Sequence, residues 1–346
     1  MRKRNERRTG NQVITCSLSR RAFLFGTFFL LGEGIYPVLT SAKTIEDRNV
    51  RSVSLKITYT TEILRPPKAG LVRIWMPVPR SDHAQEIKGV DIKSKISGRI
   101  TEDRNNKIFY LETGRLKAGE RIILSFHLDR RIEGIHGGEP DEGSLKPSEW
   151  EKWDKNIMDF AERVIGNERD TVRIGRKVFD AIIDRLNYVH EVCGRGVSSI
   201  AFEERAGRCD EFHALFRSMM MYKGIPVRWE QGILLPYPSE MKKKGEIEAD
   251  CINAHSWVSF YSDRKWVPVD ISEAKRRPEM RDFYFGRIPP DRIKFSSGRG
   301  IDLVPKQEDI INTFAYTYIE ADGVPVVYGH NYRNRLRYEV MRMKIG

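Results

Sequence analysis

The 346-residue chain lacks most of the sequence features that would reveal a function directly. It has only four cysteines, which excludes a disulfide-dense scaffold. It has no glycine-rich phosphate loop, internal repeat, low-complexity tract or zinc-finger motif, and no block of five or six like charges. The formal net charge of +12 is instead scattered among acidic residues, so no nucleic-acid partner is expected.

The first 42 residues have the pattern of an export signal. A basic segment, "MRKRNERR", precedes the apolar run 22–32, which is too short to span a bilayer comfortably, and "TSA" (40–42) offers a cleavage site. Between them, "SRRAFL" (19–24) resembles a twin-arginine motif. We therefore expect the twin-arginine export machinery as a partner and a periplasmic or other extracytoplasmic location. The alternative is a basic patch before an uncleaved signal that anchors the protein to the membrane.

The cysteine count leaves one thiol to explain. Beyond the signal the chain keeps Cys193, Cys209 and Cys251, an odd number in an oxidising compartment. A disulfide between Cys193 and Cys251 would leave Cys209 free, but two unpaired buried thiols fit the sequence equally well.

The chain after the signal begins with a strand-like hydrophobic period. Strand-like alternation begins at Val53 and recurs at 71–79, 107–113 and 121–129, which predicts an antiparallel β-sandwich over residues 43–133. The glycine- and proline-rich segment 134–147 is the predicted linker. Residues 148–346 would then form a second domain with a C-terminal β extension.

The second domain begins with helical periodicity and ends in strands, an α+β arrangement. One helical face in 170–189 carries Val172, Val178, Phe179, Ile182, Ile183 and Leu186. A second predicted helix begins at Cys209 and carries Phe212, Leu215, Phe216, Met219 and Met220. Gly224 and Pro226 end it as a C-cap and a helix breaker. Strands return at 254–261 and 265–270.

Cys209 is the predicted nucleophile. In the first turn of a helix, unpaired N–H groups and the helix dipole favour an anion, so we expect its pKa to lie well below that of a free thiol. Asp210 opposes this effect and makes a basic partner necessary.

A predicted hairpin over 253–270 supplies that partner. If the strands turn around Ser262–Lys265 with Tyr261 opposite Trp266, His255 and Asp270 become diagonal neighbours on one face of the sheet. A carboxylate that holds one imidazole nitrogen leaves the other to take a proton from a thiol.

These segments resemble the core motifs of the transglutaminase-like superfamily. The pattern is G-x-C at a helix start, then G-I-P-x-R, H-x-W and W-x-P-x-D. The matching positions are Gly207, Cys209, Gly224, Ile225, Pro226, Arg228, His255, Trp257, Trp266, Pro268 and Asp270. One departure is Ser259, where many members carry an acidic residue.

The resemblance implies a papain-like core in which the cysteine helix packs on an antiparallel sheet, preceded by the β domain. It also implies acyl transfer at amide bonds through a thioester, with Cys209 as nucleophile, His255 as general base and acid, and Asp270 as the orienting carboxylate. Peptide or isopeptide hydrolysis is favoured over cross-linking, on a protein, peptide or cell-wall amide. No cofactor and no metal are expected.

Two other functions remain open from the sequence alone. A binding or scaffold protein could retain the fold without catalysis. Alternatively, Cys209, His213, Cys251 and His255 could bind zinc, although their spacing is wider than in structural zinc sites.

Overall fold

The computed structural model describes residues 46–103, 105–190 and 193–346. The strands are β1 Val50–Ile63, β2 Val72–Val78, β3 Gln85–Ser94, β4 Arg99–Glu102, β5 Lys107–Thr113, β6 Arg121–Arg131, β7 Glu133–Gly134, β8 His136–Gly137, β9 Asn187–Tyr188, β10 Ala206–Gly207, β11 Val227–Leu234, β12 Lys244–Glu248, β13 Ala254–Ser262, β14 Lys265–Val269, β15 Arg287–Ile288, β16 Arg292–Ser297, β17 Tyr318–Ala321, β18 Val324–Pro325 and β19 Tyr332–Ile345. The helices are α1 Glu142–Leu145, α2 Lys155–Ile165, α3 Thr171–Arg185, α4 Ser198–Glu204, α5 Cys209–Tyr222 and α6 Ile271–Arg276. A 3₁₀ turn covers Glu149–Glu151.

Two five-stranded sheets form the predicted β-sandwich. Their strand orders are β12-β19-β1-β6-β3 and β18-β17-β2-β5-β4, and neighbouring strands in both are antiparallel. Alternate residues of β1, among them Val53, Leu55 and Ile57, share one buried cluster with Ile74 and Met76 of the opposite sheet. The strict alternation in β1 therefore has a direct cause, since only one face of the strand reaches the core.

A third sheet carries the second half of the molecule. Its order is β16-β11-β13-β14-β8, all antiparallel, and α5 packs on it. Phe212 and Phe216 of α5 share a buried cluster with Val258 and Phe260 of β13, and α3 closes the same core. The predicted α+β fold, with a cysteine-bearing helix on an antiparallel sheet, is confirmed.

The predicted helical face of α3 is wrong at one residue. Val178, Phe179, Ile182 and Ile183 are buried, but Val172 is exposed. Val172 lies in the first turn of the helix, which Asp170 caps through Arg173 N–H, and this turn extends beyond the packed core.

The first and the last strand of the fold pair with each other. Strand β19 pairs with β1 over almost its full length, so the C-terminal extension lies in a sheet of the sandwich. The predicted linker is also structured in part, since β8 pairs with β14 through His136 and Trp266. The domain boundaries remain a prediction. Neither pairing was predicted, because both join segments that are distant in sequence.

Among the described residues, no helix is both long and apolar enough to cross a membrane. The proposed export signal, including Arg20, Arg21 and Cys16, lies outside the described residues.

Candidate active site

Cys209 is the first residue of α5, as predicted, and its side chain is buried. The preceding turn needs glycine, since a Cβ on Gly207 would lie 2.2 Å from Cβ of Glu211. Glu211 accepts the backbone N–H of Arg208, which closes the helix start. The thiol lies 4.0 Å from the carbonyl oxygen of Ala254, next to the strand position that carries His255.

The β13–β14 hairpin has the predicted register. Tyr261 pairs with Trp266, and the two turn residues, Asp263 and Arg264, both have positive φ, as a type I′ turn requires. His255 Nε2 lies 2.7 Å from Oδ2 of Asp270, and both residues are almost fully buried. Since Nε2 is engaged by the carboxylate, Nδ1 is the nitrogen left for proton transfer.

Asp270 is the N-cap of α6 as well as the partner of His255. Its Oδ1 accepts the N–H of Glu273 at 3.0 Å and the hydroxyl of Ser272 at 2.9 Å. Its Oδ2 also accepts Nη1 of the buried Arg292 at 2.7 Å. Burial opposes ionisation, but the charges of His255 and Arg292 hold the pKa of Asp270 well below its usual value. The carboxylate is therefore ionised and fixed in orientation.

Arg292 was missed by the sequence reasoning. It begins β16, whose immediate neighbour in the sheet is β11 and not either strand of the hairpin. Its guanidinium bridges Asp270 and Asp291 and lies over the Trp257 ring, 5.1 Å from the centroid. The sequence signal was limited to the Asp291–Arg292 pair at a strand start, which does not identify a partner.

His213 supports the site from the middle of α5. Its Nε2 lies 3.1 Å from the backbone N of Ile271 and 3.5 Å from Oδ1 of Asp270. These contacts cannot both be hydrogen bonds. To accept the N–H of Ile271, Nε2 must be unprotonated, whereas to donate to Asp270 it must carry a proton. The contact with Ile271 is the shorter of the two, so we take Nε2 as the acceptor of that backbone N–H. The other ring nitrogen of His213, Nδ1, faces Ser256 Oγ at 3.4 Å.

The electrostatics of Cys209 differ from the prediction. Burial, together with the charge of Asp210, raises the pKa of the thiol to about 12, against smaller opposing effects of Arg208 and Ser256. Burial also lowers the pKa of His255, although Asp270 counteracts it. The expectation of a thiolate stabilised near neutral pH is therefore wrong for the resting protein. The site holds a neutral thiol beside a neutral imidazole.

The other two cysteines form a disulfide. Cys193 and Cys251 are bonded, with their Cα atoms 5.4 Å apart, and Cys209 is the free cysteine among the described residues. This settles the open choice in favour of pairing. The zinc hypothesis built on Cys209, His213, Cys251 and His255 is wrong, because Cys251 has no thiol to offer and His213 Nε2 is occupied by Ile271 N–H.

A cleft of about 340 Å³ opens beside His255. Its lining is mixed: Leu235 and Tyr237 contribute apolar surface, and Arg208 and Arg276 contribute positive charge. Arg208 donates to the carbonyl of Cys251, so the cleft wall is tied to the disulfide. A segment of substrate in this cleft would lie next to the imidazole.

Comparisons with known proteins bear on the family resemblance and on the fold. Residues 158–271 match the family model of the Transglutaminase-like superfamily, and the predicted resemblance is confirmed. Across 85 residues the chain is 33% identical to the uncharacterized protein YebA of Bacillus subtilis (strain 168), a match that spans 24% of this chain and 12% of YebA.

Solved structures show similarity in fold. A candidate cysteine protease from Cytophaga hutchinsonii overlaps 86% of this chain and 93% of its own, with a TM-score of 0.53 and 12% identity. The periplasmic domain of TgpA from Pseudomonas aeruginosa overlaps 69% of this chain and 93% of its own, with a TM-score of 0.33 and 14% identity. The first of these similarities supports the fold, and the family match supports a superfamily that carries out thiol-dependent acyl transfer and hydrolysis.

Proposed function

We propose that the protein catalyses thiol-dependent acyl transfer at amide bonds through Cys209, His255 and Asp270. The observation that carries this proposal is the buried His255–Asp270 hydrogen bond beside a free cysteine at a helix start. Support for catalysis over a binding protein that merely keeps the fold is that the free thiol, the imidazole and the carboxylate are the group types that nucleophilic catalysis uses.

The reaction begins from the neutral pair. His255 Nδ1 takes the proton of the Cys209 thiol as sulfur attacks the carbonyl carbon of the amide. The resulting imidazolium is stabilised by the ionised Asp270, and it then protonates the departing amine as the C–N bond breaks. The acyl group remains on Cys209 as a thioester. Water then attacks the thioester carbon while His255 takes its proton. The C–S bond breaks, the acid is released, and His255 returns the proton to the sulfur of Cys209.

The oxyanion of the tetrahedral intermediate needs donors near the helix start. The backbone N–H of Cys209 is one, because the first N–H groups of a helix have no intrahelical partner. We assign the second to the hydroxyl of Tyr188, which lines the cleft. Burial raises the pKa of Tyr188, with a further contribution from Cys209, so the hydroxyl stays protonated and able to donate.

Hydrolysis is the favoured outcome over cross-linking, because water is always present. The test is to supply a fluorescent primary amine together with a peptide library and to compare released acid with amine-labelled product. We expect acid to dominate, and both products to vanish in Cys209→Ala. Predominant amine incorporation would identify a transferase, whereas activity that persists in Cys209→Ala would refute the mechanism.

Location outside the cytoplasm belongs to the same proposal. Its support is the N-terminal signal pattern together with the Cys193–Cys251 disulfide, a bond that persists in oxidising compartments. Peptide and cell-wall amides are the substrate classes available there, and the choice between them is a matter for the library experiment.

A further inference from the structure

Three metal-binding side chains lie together far along the chain from Cys209. His83 lies in the loop between β2 and β3, Glu133 in β7 and His136 in β8. One ligand atom from each falls within 4.8 Å of the others. None of the three takes part in the mechanism above, and two come from the segment that joins the sandwich to the third sheet.

The tautomer of His136 is set by the backbone. Its Nδ1 lies 3.2 Å from the carbonyl oxygen of Gly134, which can only accept, so Nδ1 carries the proton. The other nitrogen, Nε2, is then unprotonated and has a lone pair to donate. It is buried and has no hydrogen-bond partner. Metal-ligating histidines typically show this arrangement, with one nitrogen bonded to a carbonyl and the other free for the ion.

Glu133 presents a second unsatisfied atom to the same point. The residue is 1% exposed. Its Oε2 accepts Nη2 of Arg130 at 2.7 Å, while Oε1 accepts no hydrogen bond and lies 3.5 Å from Nε2 of His83. A buried carboxylate oxygen that accepts no hydrogen bond is costly, and a metal ion would satisfy it.

The surrounding charges tolerate a divalent cation. Around the cluster lie Arg130 and Lys294 with positive charge, and Glu133, Asp82 and Glu230 with negative charge. Two positive and three negative groups sum to −1, so a divalent ion changes the local sum only to +1. Lys294 is itself paired with Glu230 at 3.0 Å and also contacts Asp82, which keeps its charge compensated.

We propose that His83, Glu133 and His136 bind a zinc-class divalent ion through two imidazole nitrogens and one carboxylate oxygen, with water as the fourth ligand. Two imidazoles and a carboxylate are a donor set that zinc accepts. Tetrahedral bonds of about 2.1 Å place donors about 3.4 Å apart, so the three ligands must contract slightly. His83 and His136 are stacked, with ring centroids 3.4 Å apart. The exposed His83 ring must therefore tilt out of the stack for the lone pairs to converge.

The ion would act as a clamp between the sandwich and the third sheet. His136 pairs with Trp266 on β14, the strand that leads to Asp270, whereas His83 belongs to a loop of the sandwich. A metal bound to both ties these parts together and stabilises the folded state by its binding energy. It would not take part in the chemistry.

The test is titration of the full chelator-treated protein with zinc chloride, with heat of binding and thermal midpoint as readouts. We expect about one zinc per chain and a raised midpoint. Loss of a partner that only orients a ligand already costs 10–100-fold in metal affinity, so His83→Ala and Glu133→Gln should each cost at least about 100-fold. The matched control is His127→Ala, an exposed histidine on β6 outside the cluster.

A further variant separates this site from zinc bound to the free thiol. Cys209→Ala should keep full zinc affinity. The proposal is overturned if the wild-type protein binds no zinc at micromolar concentrations, if His83→Ala binds as tightly as wild type, or if the bound zinc is lost with Cys209. Because His83 is exposed, its replacement should not unfold the protein, and an unchanged far-ultraviolet circular dichroism spectrum verifies this.

Discussion

Replacement of Asp291 by asparagine tests the electrostatics around Arg292 with a defined magnitude. Asp291 is fully buried, its Oδ1 accepts Nε of Arg292 at 3.1 Å, and its Oδ2 has no partner. Burial, with a contribution from the nearby Glu273, raises the pKa of Asp291 to about 6 despite the charge of Arg292. An unfolded aspartate titrates near 4, so the difference of about 2 pKa units corresponds to about 3 kcal/mol.

The sign follows from which state holds the proton. Between about pH 4 and 6 the folded protein keeps Asp291 protonated while the unfolded chain ionises it, so folding stability from this group is full below pH 4 and is lost as pH rises through 6. The asparagine side chain of the Asp291→Asn variant does not titrate. The free energy of unfolding of Asp291→Asn minus that of wild type should therefore increase by up to about 3 kcal/mol from pH 4 to pH 7.

Guanidinium denaturation at several pH values measures this difference by linear extrapolation. The control is Asp302→Asn, which removes an exposed carboxylate and leaves the buried cluster around Arg292 intact. A difference for Asp291→Asn that stays constant from pH 4 to 7 would refute the reasoning, because it would mean that Asp291 titrates alike in both states.

Three further predictions follow from the site and the signal. Limiting iodoacetamide should label Cys209 slowly at pH 6 and faster as pH rises, because burial keeps the thiol protonated; a fast rate at pH 6 by peptide mapping would instead indicate a preformed thiolate. Removal of the Cys193–Cys251 disulfide, which joins residues 58 apart, should lower the free energy of unfolding by about 4 kcal/mol in denaturant titrations; a loss below about 1 kcal/mol would contradict this. Changing Arg20 and Arg21 to lysine should leave the precursor inside the cell, and mature protein outside would disprove the twin-arginine interpretation.

Local pattern accounts for the part of the site that the sequence predicted. The type I′ turn at Asp263–Arg264 sets the hairpin register, and the register brings His255 and Asp270 together. The position of Cys209 follows from a close-packed glycine and a run of helix-period apolar residues. Each of these features depends on neighbours within about 15 residues in sequence. A local sequence pattern is therefore enough to predict it.

The rest depends on pairings and burial that no local pattern contains. Arg292 reaches Asp270 only because β16 lies in the same sheet as the hairpin, and β19 lies beside β1 only after the chain has folded back across the molecule. The pKa of Cys209 was mispredicted for a related reason. The helix start favours the anion, but the depth of burial and the charge of Asp210 outweigh it, and burial depth is a property of the whole fold.

The most direct test of the central claim is to look for an acyl group on Cys209. The purified protein is mixed with p-nitrophenyl acetate, quenched in acid, and examined by intact mass and peptide mapping. Nucleophilic catalysis predicts a single acetyl group on the peptide that contains Cys209, its slower formation in His255→Ala, and its absence in Cys209→Ala. Acetylation that is unchanged in Cys209→Ala, or spread over surface lysines with none on Cys209, would contradict the assignment of Cys209 as the nucleophile.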